Sequence, residues 1–302
     1  MKILVTGGAG FIGSHLAQAL VADGHIVTVI DSLRSGHEKN LEAVKSKITF
    51  VKGDILDEKT LANAMNGQEA VFHLAAIASV PYSVEHPLET HEVNTTGTLR
   101  VLLAARAAGV RKLVYSSTAA VYGDEPTLPK TELSVLKPQT PYALSKLAGE
   151  HYVRLFNTLY GMHTIALRYF NVYGPRQDPT SPYSGVITKF VTLLKAGKQP
   201  IIFGDGLQTR DFVFVKDVVQ ANIKALASTH TGVFNIGTGV QASINELLAH
   251  LNETLGTKMM ARYEERKPGD IVHSVSDIAT ARKVLGYAPQ TTLHEGLEET
   301  VD

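Results

Sequence analysis

A glycine-rich run near the start of the chain constrains the fold more than any other feature. Residues 3–5 are apolar and lead directly into residues 6–13, whose sequence is TGGAGFIG, and a helical pattern of apolar residues follows. This order predicts a strand, a tight turn and a helix. In such a unit Gly7 permits the turn, Gly10 lets a pyrophosphate approach the amides of the helix N-terminus, and Gly13 brings the helix close to the sheet.

A carboxylate stands where the second strand is predicted to end. Residues 27–30 form an apolar run of β-branched residues, and Asp31 follows it directly. At this place a carboxylate accepts hydrogen bonds from an adenosine ribose and repels the additional phosphate of NADP. The alternative is an ordinary strand, turn and helix in which Asp31 is a helix cap. The first interpretation predicts a dinucleotide site that prefers NAD.

Apolar strands alternate with helices through the first half of the chain. The predicted elements are strands at 48–51, 70–74 and 112–115, and helices at 56–65 and 87–108. The alternation predicts an α/β fold with a doubly wound parallel sheet, in which ligands bind beyond the carboxyl ends of the strands. Asp54 follows one such strand, where it either bonds the adenine amine or caps a loop.

Composition fits a soluble α/β protein and gives no sign of a nucleic-acid or membrane partner. Of the 302 residues 44% are hydrophobic, and the 29 basic residues equal the 29 acidic ones. The absence of cysteine excludes disulfides and thiolate chemistry. The N-terminus has no basic segment followed by an apolar one, and no apolar run approaches membrane-spanning length, so we expect a cytoplasmic protein. The twelve histidines show no metal-binding spacing, so no metal site is expected.

A tyrosine and a lysine one helical turn apart follow the hydroxyl-rich end of the fifth strand. Residues 116–118 read Ser-Ser-Thr. Thr140 and Pro141 are suited to the N-cap and first position of a helix, which places Tyr142 and Lys146 on one face. Such a pair is common on solvated helix faces. Downstream of a dinucleotide loop and a hydroxyl-bearing strand end, it predicts a reactive site.

Together these motifs resemble the extended short-chain dehydrogenase/reductases, and among them the UDP-hexose 4-epimerases. The segments that carry the resemblance are residues 6–13, Asp31, 53–55 (GDI), 73–76 (HLAA), 93–94 (VN), 116–123 (SSTAAVYG), 142–146 (YALSK), 168–177 (RYFNVYGPRQ), 204–213 (GDGLQTRDFV) and 267–277 (KPGDIVHSVSD). The resemblance implies an NAD-binding Rossmann domain at 1–174, whose sheet also takes strands from the second half. It implies a smaller, interleaved lobe, mainly for the UDP-sugar, at 175–302.

The resemblance also implies roles for single residues. Tyr142 is the implied catalytic base and acid, Thr118 its hydroxyl partner on the sugar O4, and Lys146 the group that holds the nicotinamide ribose. The implied NAD contacts are Gly7, Gly10, Phe11, Ile12, Gly13, Asp31, Asp54, Ile55, Ala75, Ala76, Asn94, Ser116, Tyr142 and Lys146. The implied substrate contacts are Thr118, Tyr142, Asn171, Arg210, Lys267, Asp270 and Ser274.

The implied reaction inverts C4 of the sugar through a 4-keto intermediate. Tyr142 removes the O4 proton, C4 passes a hydride to NAD⁺, the keto sugar rotates, and the hydride returns to its other face. The pKa of an unperturbed tyrosine is near 10, so only about 0.1% is phenolate at neutral pH. One nearby cation lowers a pKa by about 1–3 units. Lys146 alone therefore does not lower the pKa of Tyr142 to about 7, and we infer that the positive charge of the oxidised nicotinamide ring supplies the rest of the shift.

Three positions bear on which activity and which sugar to expect. Ala119 and Ala120 replace the two acidic residues of the related 4,6-dehydratases, and Ala120 also replaces the acid of UDP-glucuronate decarboxylases, which argues against both activities. Ser274 stands where enzymes restricted to UDP-glucose and UDP-galactose tend to carry a tyrosine, so it leaves room for a 2-acetamido group. We expect UDP-GlcNAc/UDP-GalNAc, UDP-Glc/UDP-Gal, or both.

Other expectations remain open at this stage. Asn171 favours a neutral sugar, because some UDP-glucuronate 4-epimerases carry threonine there, but a UDP-glucuronate 4-epimerase stays an alternative. A non-catalytic NAD-binding sensor is the alternative from a different class. Lys267 replaces the family's usual arginine, so either Arg266 substitutes for it or the diphosphate contact is weaker. The helices at 93–107 and 144–155 have apolar faces that the family pairs into a homodimer, although a monomer core would use the same faces.

Overall fold

The computed structural model describes residues 1–178, 185–266 and 271–301. The predicted substrate contacts Lys267 and Asp270 lie outside the described residues. The strands are β1 (Lys2–Thr6), β2 (Ile26–Asp31), β3 (Ile48–Lys52), β4 (Ala70–His73), β5 (Lys112–Thr118), β6 (His163–Tyr169), β7 (Asn171–Tyr173), β8 (Ile201–Phe203), β9 (Thr209–Arg210), β10 (Phe212–Phe214), β11 (Gly232–Ile236), β12 (Ala242–Ser243) and β13 (Arg262–Glu264).

The α-helices are α1 (Phe11–Ala22), α2 (Glu58–Met65), α3 (Val80–Glu85), α4 (Pro87–His91), α5 (Gly97–Ala107), α6 (Pro141–Tyr160), α7 (Val186–Lys195), α8 (Val215–Ala227), α9 (Ile244–Leu255), α10 (Ala279–Leu285) and α11 (Leu293–Val301). Short 3₁₀ segments lie at Glu38–Lys47 and Ala119–Tyr122, and a π-helical turn lies at Glu92–Thr96. Within the described ranges no helix combines the length and the apolar character needed to cross a bilayer.

The central sheet is parallel throughout, as the alternation of strands and helices predicted. Its strands lie in the order β11-β6-β5-β4-β1-β2-β3, with every neighbouring pair parallel. From β1 the chain proceeds outward to β2 and β3, then crosses back to β4 on the other side. The resulting switch point between β1 and β4 is where doubly wound sheets open a crevice for ligands. The doubly wound α/β fold is therefore confirmed.

Buried apolar side chains cover both faces of this sheet. Leu16 and Leu20 of α1 pack with Val218 of α8 in one cluster on one face. Leu61 of α2 and Leu102 of α5 belong to the cluster on the other. Because both faces are covered, the strands read as nearly continuous apolar runs rather than alternating ones.

The second half of the chain contributes to the central sheet and also builds its own small lobe. β11 pairs with β6 from Gly232 opposite Ile165 to Ile236 opposite Tyr169. The remaining strands there form two-stranded pairs, namely β7 with β10, β9 with β12 and β8 with β13. A separate apolar cluster lies under them. The division of the chain at residue 174 stays a prediction.

The predicted helix at 87–108 is three segments rather than one. The π-helical turn separates α4 from α5. It contains Asn94, whose side-chain oxygen accepts from the Ile77 amide at 2.8 Å and whose amide nitrogen donates to the Ile77 carbonyl at 3.1 Å. Thr98 donates its hydroxyl to the Asn94 carbonyl at 2.6 Å. The apolar periodicity is the same on both sides of the turn, so the sequence pattern did not reveal the interruption.

Candidate active site

A cavity of about 500 Å³ opens at the carboxyl ends of the central strands, next to the switch point. It runs from the end of β2, past the glycine loop, to the ends of β5 and β6. The predicted site residues that line it are Gly7, Gly10, Phe11, Ile12, Gly13, Asp31, Asp54, Ile55, Ala75, Ala76, Ser116, Thr118, Tyr142, Lys146 and Asn171. The fold therefore brings most of the predicted residues to one cavity.

Three of the four glycines in the glycine loop are in different situations. Gly7 has φ of +71°, and a Cβ there would lie 2.6 Å from the Ala75 nitrogen. At Gly13 a Cβ would lie 2.2 Å from the Gly7 carbonyl oxygen, so this glycine is required by the loop itself. At Gly10 the nearest atom to a Cβ would be the same oxygen at 3.2 Å, and among the residues that the structure describes no other atom, apart from Gly10 and its two chain neighbours, comes within 4 Å. Gly10 thus leaves open space on the cavity side.

Helix α1 begins at the cavity wall without a side-chain cap. Its N-cap is Gly10, which has no side chain to accept from the first amides, and Phe11, Ile12 and Gly13 all line the cavity. The first amides of a helix have no partner within the helix, and the helix dipole concentrates positive charge there. This end of the cavity is therefore suited to a phosphate-bearing ligand.

Asp31 lies at the end of β2 with only 8% of its surface exposed. Its Oδ2 accepts from the Ala9 amide at 2.9 Å and its Oδ1 from the Leu33 amide at 2.8 Å. Each carboxylate oxygen can accept more than one hydrogen bond, so two backbone donors leave capacity for ligand hydroxyls. The carboxylate is thus held in place by the backbone while it still lines the cavity.

Asp54 is exposed and makes the loop-capping contact that was one of the two predicted for it. Its Oδ1 accepts from the Leu56 amide at 2.9 Å, which is the loop-capping contact. It also lines the cavity, so the predicted contact with an adenine amine stays a prediction.

A bridge of charged and polar side chains crosses beside the Asp31 end of the cavity. Arg34 lines the cavity and lies 2.5 Å from Glu89 and 2.7 Å from the Tyr82 hydroxyl. Tyr82 in turn donates to Glu89 at 2.6 Å. The ion pair and hydrogen bonds hold the pKa of Glu89 at about 2, well below its ordinary value. The bridge joins the loop after β2 to helices α3 and α4.

Tyr142, Thr118 and Lys146 meet where β5 ends and α6 begins. Thr140 caps α6 by accepting from the Ala143 amide at 3.2 Å, and Pro141 follows it, as predicted. This start places Tyr142 in the first turn and Lys146 one turn later. Burial raises the pKa of Tyr142, and a hydrogen bond with the Thr118 side chain opposes that rise. Without a ligand the Tyr142 phenol is therefore protonated at neutral pH.

Lys146 is almost fully buried, with 3% exposure. Its Nζ donates to the Ser116 carbonyl at 2.8 Å and lies 5.0 Å from the centre of the Tyr115 ring. Burial lowers the pKa of Lys146 to about 7, although the negative charge of Glu150 opposes that fall. An anionic group in the cavity would favour the charged ammonium further.

Glu150 lies one turn below Lys146 and belongs to a buried ion pair. Arg168 donates to it through Nε at 2.9 Å and Nη2 at 2.7 Å, and Ser117 also donates to it. The remaining Arg168 nitrogen, Nη1, donates to the Tyr122 hydroxyl at 2.9 Å. Removing one partner of such a pair would leave a buried charge uncompensated, at a cost of about 3–5 kcal/mol. The pair therefore fixes α6 against β5 and β6.

His73 is packed beneath the cavity rather than facing it. Its Nδ1 lies 2.7 Å from the Thr6 hydroxyl and its Nε2 lies 2.9 Å from the Thr98 hydroxyl. Because Thr98 donates its proton to the Asn94 carbonyl, we assign Nε2 as the protonated nitrogen and Nδ1 as the acceptor. Burial lowers the pKa of His73 to about 3, so the ring is neutral.

The remaining predicted contacts do not line the described cavity. The Asn94 side chain is 1% exposed and holds the backbone of Ile77, so it lies behind the wall. Arg210 donates to the Thr209 carbonyl at 2.8 Å, and the Ser274 amide donates to the same carbonyl at 3.2 Å. These two residues therefore lie together in the small lobe, and Ser274 is close in sequence to Lys267 and Asp270.

Two arginines that line the cavity were not predicted. Arg34 follows Asp31 in a polar loop whose sequence has no pattern that predicts its bridge to Glu89. Arg176 lies in the quoted segment 168–177, but its φ of +67° and its bond to Gln18 at 2.6 Å come from the tertiary fold. Neither contact has a local sequence signal.

Comparison with known proteins gives a consistent result along the whole chain. A family model described as the NAD dependent epimerase/dehydratase family matches residues 3–237. The chain is 44% identical to the UDP-glucose 4-epimerase of Mycolicibacterium smegmatis, over 100% of this chain and 98% of the relative.

Solved structures agree with this. The UDP-N-acetylglucosamine 4-epimerase from Methanobrevibacter ruminantium, in complex with UDP-N-acetylmuramic acid, has a TM-score of 0.96 and 40% identity, covering 99% of this chain and 96% of that one. The UDP-glucose 4-epimerase of Thermus thermophilus, in complex with NAD, has a TM-score of 0.92 and 38% identity, covering 100% of this chain and 98% of that one.

Proposed function

The chain belongs to the NAD dependent epimerase/dehydratase family, and from that premise we propose that it is a UDP-hexose 4-epimerase that uses NAD as a resident cofactor. One observation carries the proposal. Thr118, Tyr142 and Lys146 converge on the same cavity as the glycine loop and Asp31. The turn that follows Thr118 carries Ala119 and Ala120, which offer no carboxylate for the loss of water from a sugar.

The cavity suits NAD in its shape and in its donors. The uncapped start of α1 and the open space at Gly10 would hold the pyrophosphate. Asp31 would accept from the adenosine ribose hydroxyls, since its oxygens retain acceptor capacity. Lys146 would donate to the nicotinamide ribose while Ser116 holds its Nζ in place. Bound NAD would supply a positively charged ring and a reversible hydride acceptor for the sugar C4.

The chain itself supplies the proton chemistry and the orientation. Tyr142 would take the proton from the sugar O4 and later return it to the 4-keto sugar, with Thr118 hydrogen-bonded to the same oxygen. Because burial raises the pKa of Tyr142, the phenolate requires positive charge within the closed site. Lys146 provides one such charge, and the buried pair of Glu150 and Arg168 keeps its helix fixed. Proton transfer by a positioned side chain contributes about 10²–10⁴-fold to a rate.

We propose that the sugar is neutral and that an N-acetylhexosamine fits. Asn171 lines the cavity and presents an amide rather than a charged group. Ser274 is small, and it neighbours Arg210 in the lobe that the family uses for the nucleotide sugar. The relatives reported above include enzymes named for UDP-glucose and for UDP-N-acetylglucosamine, which supports both classes as candidates.

A product assay tests the proposal. The purified chain is first analysed for tightly bound NAD(H) by absorbance and by release on denaturation. It is then incubated separately with UDP-Glc, UDP-GlcNAc and UDP-GlcA without added cofactor, and the products are separated by chromatography. We expect conversion of each accepted sugar to its C4 epimer.

The outcomes separate the candidate functions. Epimerisation of UDP-GlcA alone would favour the UDP-glucuronate 4-epimerase. Bound NAD with no epimer of any of the three sugars would favour a non-catalytic NAD-binding protein. Epimerisation of UDP-Glc or UDP-GlcNAc supports the proposed function.

We also propose that the active protein is a homodimer that pairs through α5 and α6. Four leucines on these adjacent helices are exposed, namely Leu103, Leu144, Leu155 and Leu159, with exposures of 45–63%. Burying such side chains is favourable, at roughly 1.5–3 kcal/mol for each fully buried one. The molar mass of wild type, measured by light scattering after gel filtration, should fall to that of a monomer in the variant Leu103→Glu/Leu155→Glu. Leu133→Glu, at a leucine 95% exposed outside these helices, is the matched control.

A cytoplasmic location stays part of the proposal. Fractionation of cells that produce the tagged chain, with detection in the cytosolic, membrane and exported fractions, is the measurement that checks it.

A further inference from the structure

Two helices of the small lobe bring together three side chains that can bind a metal ion. His250 and Glu253 lie on α9, and His294 lies on α11. One ligand atom from each of the three lies within 4.8 Å of the others. None of them lines the cavity described above, so the cluster is separate from the proposed active site.

The positions of the three residues follow from helix geometry and from packing. His250 and Glu253 are three apart, so they share one face of α9. Leu247 and Leu251 of α9 pack in one apolar cluster with Leu297 of α11, which holds the two helices together. The His250 and His294 rings are 6.0 Å apart between centroids, so the approach of the two imidazoles is fixed by the core beneath them.

A second carboxylate, which could be the fourth ligand, lies beside the cluster. Glu298 lies one turn after His294 on α11, and its Oε1 is 3.5 Å from the Nε2 of His294. Two neutral imidazoles and two carboxylates would balance the charge of a divalent ion. Imidazole with carboxylate is a donor set typical of Zn²⁺ and neighbouring transition metals, whereas Mg²⁺ and Ca²⁺ prefer oxygen ligands alone.

The geometry points to a binding site for a divalent transition metal of the zinc class, formed by His250, Glu253 and His294, with Glu298 or water as the fourth ligand. In tetrahedral zinc sites the metal–nitrogen and metal–oxygen distances are about 2.0–2.2 Å. The ligand atoms now lie within 4.8 Å of one another, and small side-chain rotations would bring them to such distances, because Glu253 is exposed and the two histidines are half-buried.

The ion would tie the C-terminal helix to the lobe. The carbonyls of Thr292 and Leu293, at the start of α11, accept from the Tyr173 hydroxyl of β7 at 3.4 and 3.3 Å. β7 begins with Asn171, which lines the cavity. A metal between α9 and α11 would therefore stabilise the part of the lobe that supports this wall.

The site is tested by titrating the full chain with Zn²⁺ in a calorimeter and by measuring its Tm with and without the ion. We expect saturable binding, and a Tm raised by about 2–4 °C at a large excess of metal over Kd. Glu253→Gln and His294→Asn should each weaken binding about tenfold or more and abolish the Tm rise. His230→Asn, at an exposed histidine outside the cluster, is the matched control and should bind as wild type does.

Further measurements keep the result interpretable. Mg²⁺ should give no Tm rise, and Co²⁺ should give the visible absorption of a tetrahedral site in wild type but not in the variants. Because Glu253 is exposed, Glu253→Gln should keep the metal-free Tm of wild type, which separates loss of the site from misfolding. Absence of saturable Zn²⁺ binding, or equal binding by wild type and both variants, would overturn the proposal.

Discussion

Lys146 donates from its Nζ to the carbonyl oxygen of Ser116 at 2.8 Å, so the buried amine of α6 is fixed to the end of β5. Two residues further along the same strand, Thr118 hydrogen-bonds to Tyr142 of the same helix. The end of β5 and the start of α6 are thus joined by one side-chain-to-backbone hydrogen bond and one side-chain pair. These contacts hold Thr118, Tyr142 and Lys146 in one arrangement, and such preorganisation is what proton transfer to a bound sugar requires.

Tyr142→Phe removes the hydroxyl that we assign to proton transfer. We expect kcat to fall by roughly 10²–10⁴-fold, the usual contribution of a positioned acid or base, with bound NAD retained. Product formation from the preferred UDP-sugar and the NAD content of the variant are the two measurements. Tyr160→Phe, at an exposed tyrosine on the same helix, is the control and should keep full activity. Full activity in Tyr142→Phe would refute the mechanism.

Substitutions in the glycine loop should distinguish a glycine needed for folding, Gly13, from one that faces the ligand, Gly10. Gly10→Ala should leave the Tm of the NAD-free protein near wild type, because the nearest described atom beyond the neighbouring residues would lie 3.2 Å from the added Cβ and φ is −75°. It should still lose bound NAD, since the methyl group occupies the space reserved for the pyrophosphate. Gly13→Ala should lower the Tm itself, because its Cβ would lie 2.2 Å from the Gly7 carbonyl oxygen. Retention of NAD by Gly10→Ala would contradict this assignment.

Arg34→Ala should speed the loss of NAD with little effect on stability. The Arg34–Glu89 pair is largely exposed, and surface pairs contribute little to folding, but this one closes the bridge beside the Asp31 end of the cavity. We expect the variant to release NAD several-fold faster than wild type. The release is measured by diluting the protein rapidly and determining how much NAD remains bound over time. Arg262→Ala breaks another exposed ion pair, with Glu264, away from the cavity, and should release NAD at the wild-type rate. Equal release from all three proteins would exclude the bridge as a restraint.

His73 gives the protein a specific sensitivity to acid. Its pKa is about 3 in the folded state, below its ordinary value of 6.5, so between those values the unfolded chain binds a proton that the folded chain does not. Neutral His73 therefore contributes fully to the free energy of unfolding above pH 6.5. This contribution falls by about 1.4 kcal/mol per pH unit as the pH drops below that value. His73→Gln keeps one donor and one acceptor for Thr98 and Thr6, and should flatten the pH dependence of the free energy of unfolding.

The measurement is urea denaturation of both proteins between about pH 5 and pH 7, above the range in which carboxylates titrate. His230→Gln, at an exposed histidine, is the control and should keep the wild-type slope. If the free energy of unfolding of His73→Gln changed with pH as steeply as that of wild type, other groups would cause the acid sensitivity.

Ser274→Tyr should reduce activity on 2-acetamido sugars selectively. A tyrosine ring would fill the space that we assign to the acetamido group, while an unsubstituted hexose would still fit. The ratio of kcat/KM for UDP-GlcNAc to that for UDP-Glc is the measured quantity, and Ser274→Ala, which stays small, should leave it unchanged. An equal loss on both sugars would count against Ser274 as the residue that selects the substrate.

Much of the fold and of the proposed active site could be predicted because its signals are local. The glycine loop, Asp31 and the Tyr142–Lys146 pair each lie within one turn or one strand end, and the family resemblance and the parallel sheet are confirmed. The N-cap of α6 at Thr140 is confirmed for the same reason.

What could not be predicted depends on contacts between distant segments. The residues of the proposed metal site, His250, Glu253 and His294, lie on two helices more than 40 residues apart in the chain, so local histidine spacing could not reveal them. The same holds for the bridge from Arg34 to Glu89, and for the π-helical turn, where Asn94 is held by the backbone of Ile77 rather than by a pattern in its own helix.

The position of β11 has a consequence for how the protein is made. β11 is the last strand of the central sheet to be synthesised, and it covers β6, whose Tyr169 also bonds Asn222 of α8 at 3.0 Å. Until residue 236 has left the ribosome, β6 is an open edge with unpaired amides and carbonyls. Such edges pair readily with other chains. A nascent chain paused before that residue would therefore expose this edge, and we expect it to depend on a chaperone until β11 pairs with β6.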